Sequence, residues 1–233
     1  MKTRVEIERA IDEILSTRWE RREGQTVPEP KDVLLGNDAV DLDATVLYAD
    51  LAESTALVQG FKDWFAAEVY KIYLLSASEL IRSNGGEITA FDGDRVMGVF
   101  IGGTKNSDAA KCALQLNYMV RHVINPKIKS RYSTTSFQVE QSVGIDTSPL
   151  MAARTGVRGD NDLVWVGRAA NYAAKLCSLR DQNNSTFITA DVYNRLLDTS
   201  KYGGNPKQDM WTKFMWSEMG IVAYKSSFWW KPP

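Results

Sequence analysis

A chain of 233 residues with 44% hydrophobic side chains has room for one substantial core. Its 28 basic against 29 acidic residues (28 − 29 = −1) set up no global field toward nucleic acid or an anionic membrane, and the single histidine, His122, rules out multi-histidine zinc sites and argues against a histidine-based triad. No apolar run approaches the ~20 residues of a membrane-spanning helix, and the N-terminus MKTRVEIERA lacks the apolar stretch of a signal peptide, so a cytoplasmic protein is expected, with Cys112 and Cys177 as reduced core residues.

In chain order, Ile7, Ile11, Ile14, Leu15 and Trp19 recur at helical spacing and predict an amphipathic helix over residues 3–20 whose apolar stripe needs a partner surface. Gly24, Pro28, Pro30 and Gly36 punctuate a linker, so residues 1–40 read as helix plus linker and residues 41–233 as the main domain. The clusters Arg18/Arg21/Arg22 and Lys127/Lys129/Arg131 read as solvated faces. Thr45-Val46-Leu47-Tyr48-Ala49 is apolar at nearly every position, which predicts a central strand buried on both faces and ending at Asp50. Leu51 to Thr55 then offer unpaired backbone groups, with Ser54 or Thr55 as the cap of a helix.

A helix over residues 61–82 closes at Gly85-Gly86, and Glu87 to Phe100 predict a hairpin about an Asp92-Gly93 turn, with Asp94 beside the tip. If this hairpin pairs next to the Asp50 strand, two carboxylates share one site. They would repel each other without a cation, and a divalent metal taking oxygen ligands at about 2.0–2.1 Å resolves the conflict. Asp is also common in turns for local hydrogen-bonding reasons, and either residue alone fits that plainer role; together, in these two contexts, they point to metal.

Ser107 is placed to cap a helix running toward Ile124 and stopping before Pro126, and residues 136–146 alternate as a strand. Leu163-Val164-Trp165-Val166-Gly167 predicts a short buried strand leading into a helix from Arg168. Asn171 and Lys175, four residues apart, share one face of that helix, with small alanines between them. Residues 186–189 predict a strand, residues 190–197 a helix, and the Trp-rich tail a final hairpin.

Taken in order, LYADLAEST, GGEITAFDGDRVMGVF and VWVGRAANYAAKL resemble the class III nucleotide cyclase catalytic domain over roughly residues 41–200. The resemblance implies a ferredoxin-like α+β fold, an antiparallel sheet flanked by helices, and a head-to-tail homodimer with its active sites at the interface. One subunit would hold two divalent cations, Mn²⁺ or Mg²⁺, through Asp50, the Leu51 backbone carbonyl and Asp94. The other would present Asn171 and Lys175 to the α-phosphate. The cations would acidify the ribose 3′-hydroxyl and neutralise the triphosphate, so no protein general base is required. Arg154, Arg158, Arg168 and Lys225 are all candidate triphosphate partners, and sequence does not choose among them.

Members that use ATP carry a Lys and an Asp where this chain has Ala90 and Val164, and the Glu and Cys pair that goes with guanine is missing too. Tyr48 lies two residues before Asp50, on the strand face where the family packs the base, and Arg95 could reach a carbonyl such as O2 or O4 of a pyrimidine. Each also fits a plainer role, as core aromatic and strand-edge charge. Lys175 stands where most members have Arg, which weakens bidentate phosphate contact. These departures resemble the Pycsar pyrimidine cyclases of bacterial antiphage defence. That likeness implies conversion of UTP to 3′,5′-cyclic UMP and pyrophosphate, with CTP to cyclic CMP as the other outcome and a separate effector reading the product. Three other readings stay open: an adenylate cyclase with an atypical base pocket using backbone groups near Val164 and Trp165, a cyclase homology domain that binds nucleotide without turnover, and a palm-type polymerase, against which the near-neutral charge counts.

Overall fold

The computed structural model describes residues 2–233. Thr3 and Glu6 form a capping box that starts α1 (Arg4–Ser16), and the helix stops short of Trp19 with none of its side chains buried. β1 (Glu20–Glu23) follows and pairs in parallel with the start of β2 (Asp38–Leu51). The stretch expected as helix end and linker therefore contains a strand, and Arg21 and Arg22 reach Asp41 and Asp38 instead of only water.

Next come α2 (Ser54–Gly60), α3 (Asp63–Ser83), the hairpin β3 (Glu87–Asp92) and β4 (Arg95–Phe100), α4 (Lys105–Tyr118), α5 (Asn125–Arg131), β5 (Gln141–Val157), β6 (Asp160–Val166) and α6 (Arg168–Cys177). β7 (Thr186–Thr189), α7 (Ala190–Asn194), α8 (Asp198–Lys201), the short pair β8 (Tyr202–Gly203) and β9 (Gln208–Asp209), and the hairpin β10 (Thr212–Trp216) and β11 (Ile221–Ser226) complete the chain. Strands β5-β2-β4-β3 lie side by side, all antiparallel, with α3 and α4 carrying the crossovers, which is the ferredoxin-like arrangement. β7, joined to β5 in parallel, leads to β11 and β10 and widens the sheet to nine strands, counting β1 and β6 at its margins.

β2 is buried on both faces because alternate side chains enter different cores. Leu47, Ala49 and Leu51 join Phe65, Tyr73, Ile81 and Leu114 beneath α3 and α4. Val40, Leu42, Ala44 and Val46 pack with Ala169, Ala170 and Ala173 of α6. That helix lies very close to β5, since a Cβ at Gly144 would stand 2.1 Å from the Ala173 carbonyl oxygen and 2.4 Å from the Cys177 nitrogen. Cys112 and Cys177 are buried and unpaired, and burial pushes both thiols up.

Several local expectations shift. Glu53, with φ at 58°, precedes α2 without a side-chain cap bond, so neither Ser54 nor Thr55 caps it. The helix expected to stop before Pro126 continues through a π-helical turn, Met119–Ile124, into α5, with Pro126 in the turn that follows the π-helical one. Ser107 lies inside α4, where its buried hydroxyl accepts from the Leu197 amide. The strand expected over residues 136–146 begins at Gln141 and runs on to Val157. Among the described residues no helix is long and apolar enough to cross a membrane.

Candidate active site

Asp50 occupies the end of β2, on the same face as Tyr48 and α6, and lies opposite Arg95 of β4. Its carboxylate is 19% exposed. The two-residue turn of the β3–β4 hairpin is Gly93-Asp94, closed by Asp92 opposite Arg95, so Asp94 sits within the turn and not just after it. Gly93 alone takes positive φ there, at 62°, as in a II′ turn with Gly first. Since Arg95 pairs with Asp50, the turn brings Asp94 beside Asp50. Burial pushes the Asp50 carboxyl above the ordinary range; the Asp94 charge adds to that shift, and the hydrogen bond from Arg180 opposes it.

Asp94 Oδ2 is buried and has no hydrogen-bond partner. Leaving such an oxygen unmet is costly, and a cation between the two carboxylates would remove the cost. Among the described residues no cluster of three or more His, Cys, Asp or Glu occurs. A cation here would complete its shell from backbone and substrate oxygens, as Mg²⁺ does when it binds through one or two carboxylates plus phosphates. The Leu51 side chain is buried in the core, which leaves only its backbone for that purpose.

Asn171 and Lys175 are both exposed on α6, opposite its buried face of Ala169, Ala170, Ala173, Leu176 and Cys177. Lys175 pairs with Glu218 in the β10–β11 turn. Among the described residues neither Asn171 nor Lys175 bonds to Asp50 or Asp94. Three of the four candidate triphosphate residues are engaged elsewhere. Arg168 bonds Asp146, Asp191 and the Thr147 carbonyl; Arg154 bonds Asn161 and the Val33 carbonyl; Lys225 lies 2.6 Å from Asp181. Arg158 lies in the turn between β5 and β6.

A residue the sequence reading missed is Arg180. Its Nη2 lies 3.0 Å from Asp50 Oδ2, while Nη1 donates to the carbonyls of Cys177 and Leu179 at 3.0 and 3.1 Å. No spacing or motif announces it, because it follows the end of α6 and reaches β2 only through the close seating of that helix on β5.

Beside this acidic end, the Arg95 guanidinium stands 5.5 Å from the centre of the half-buried Tyr48 ring and donates to Asp92 at 2.8 Å. Its Nε is buried and unpaired. Tyr48, Ala90 and Trp165 border one hydrophobic cluster, and the buried Trp165 indole nitrogen is also without a partner. Val164 projects from β6 with 40% of its surface exposed.

No protein-family model matches the chain. A uridylate cyclase of Burkholderia cepacia is 50% identical over 227 residues, covering 97% of this chain and 97% of that protein. A uridylate cyclase of Xanthomonas perforans is 46% identical over 221 residues, covering 94% of each. Among solved structures, the guanylyl cyclase Cya2 superposes with a TM-score of 0.67 at 19% identity, over 82% of this chain and 95% of that one, which shows the shared fold. With such identity over nearly its full length, the chain belongs to the family of these uridylate cyclases, and it shares the fold of the solved guanylyl cyclase.

Proposed function

We propose that the protein converts UTP to 3′,5′-cyclic UMP and pyrophosphate, as a head-to-tail homodimer. The observation that carries the reading is the pair of carboxylates at the β2 end and the β3–β4 turn, one with a buried oxygen that meets no donor. Asp50, Asp94 and the Leu51 carbonyl would hold the divalent cations, Mn²⁺ or Mg²⁺, whose chemistry is to acidify the ribose 3′-hydroxyl and neutralise the triphosphate. Asn171 and Lys175 would donate an amide and an ammonium to the α-phosphate oxygens as charge builds in the in-line displacement. Their exposure on α6, with no bond to Asp50 or Asp94 inside the chain, supports their belonging to the site of a partner subunit. Lys175 would exchange Glu218 for phosphate on the way.

For the base, the Tyr48 ring supplies an apolar wall and Arg95 Nε an unpaired buried donor suited to a pyrimidine carbonyl. Ala90 and Val164 have no side-chain group that could read a purine edge. The relatives named uridylate cyclase favour uracil over cytosine. In this reading the product is a second messenger in antiphage defence, made in the cytoplasm and recognised by a separate effector. Incubating the purified protein with Mn²⁺ and each of the four nucleoside triphosphates, with products identified by mass spectrometry, is expected to give cyclic UMP. Cyclisation of ATP alone would refute the assignment.

A further inference from the structure

We propose that Arg180 is the resident counter-ion of the metal site: it occupies Asp50 before metal binds and passes to the triphosphate when cation and nucleotide enter. The inference rests on the cyclase reading above and adds to it a residue that competes with metal and then positions substrate. Three features of the geometry carry it. The guanidinium lies 3.0 Å from Asp50 Oδ2, so it competes, in charge and in space, with a divalent cation for that oxygen. Two carbonyls, those of Cys177 and Leu179, tether the other amino group, so a displaced guanidinium stays beside the site instead of leaving it. Its side chain is 42% exposed, which leaves room to swing.

Once displaced, Arg180 faces the strongest anion that enters with the metal, and its planar fork matches phosphate oxygens. Of the neighbouring cations, Arg95 holds Asp92 and Lys225 holds Asp181, while Lys175 is already assigned to the α-phosphate oxygens. Asp94 has no such guard, since its buried Oδ2 meets no donor. One carboxylate of the pair is therefore open to a cation and the other is held by an arginine until substrate arrives.

Two opposite changes in one variant test this. Arg180→Gln removes the charge but keeps donors for the Cys177 and Leu179 carbonyls. It is expected to bind Mn²⁺ alone about two- to fivefold more tightly than the parent in nucleotide-free titrations followed by electron paramagnetic resonance, the scale of a partly exposed ion pair. At saturating Mn²⁺ its KM for UTP is expected to rise about tenfold, and Arg180→Lys is expected to fall between variant and parent on both measures. Mn²⁺ affinity that is unchanged or weaker in Arg180→Gln, or an unchanged KM, would overturn the proposal. An Asp50→Asn control separates the two levels of the argument. If it binds Mn²⁺ as the parent does, the metal reading itself fails; if it loses binding while Arg180→Gln leaves the affinity unmoved, only the role of Arg180 falls.

Discussion

At the Asp50 carboxylate, burial and the neighbouring Asp94 charge favour the protonated form, and Arg180 recovers only part of the difference. A carboxyl whose pKa is raised on folding makes the ionised native state less stable, so this contribution favours the fold at low pH and is lost as pH rises through the raised pKa. Asp50→Asn at neutral pH is therefore expected to leave the metal-free melting temperature unchanged or raise it by up to about 3 °C, while product formation falls by at least about a hundredfold. Calorimetry in EDTA checks the first part, and a fall of several degrees would mean that the Arg180 pair outweighs burial. The closeness of Asp50 and Asp94 was legible in the sequence because one ends a strongly patterned strand and the other lies at the tip of a hairpin. The one-residue error at the hairpin was not avoidable from Asp92-Gly93 alone. The partner of Arg95 across β2 sets where the turn falls, and Asp-Gly and Gly-Asp turns are both permitted locally.

Among the elements, α6 depends most on a single contact. Gly144 is required by space and not by φ, because the Ala173 carbonyl and the Cys177 amide occupy the volume of a Cβ. Gly144→Ala is expected to cost about 2–3 kcal/mol in urea unfolding and to lower cyclisation out of proportion to the folded fraction, since Asn171 and Lys175 would move with the helix. A cost below about 0.5 kcal/mol would show that α6 can shift without strain. The helix itself was readable from its alanine spacing and the Asn171–Lys175 register. What lies under Gly144 was not, because close approach leaves no periodic trace. β1 escaped for a related reason: Glu20 to Glu23 are charged and exposed throughout, and form a strand only because β2 extends past the end of β4 and offers a free edge.

The whole molecule poses the question of where Asn171 and Lys175 act. Within one chain they are exposed and bond to neither Asp50 nor Asp94. If each site takes Asp50 and Asp94 from one subunit and Asn171 from the other, Asp50→Ala and Asn171→Ala proteins are each inactive alone. Mixing them with subunit exchange would form heterodimers as half of the population, each with one intact site of two, and so restore about one quarter of parent activity. No recovery after verified exchange would place the complete site within a single chain.

The identity and local setting of the chemical groups belong to short segments: an apolar run ending in Asp50, a hairpin carrying Asp94, and two polar residues four apart on an alanine-rich helix. Periodicity and turn chemistry act over a few residues, so such features can be read without a fold. The guarding of Asp50 by Arg180, 130 residues away along the chain, the seating of α6 on Gly144 and the turn register at Asp94 depend on how distant segments pack and align. Each is decided by the summed packing and pairing of whole strands and helices, a balance that no single segment encodes.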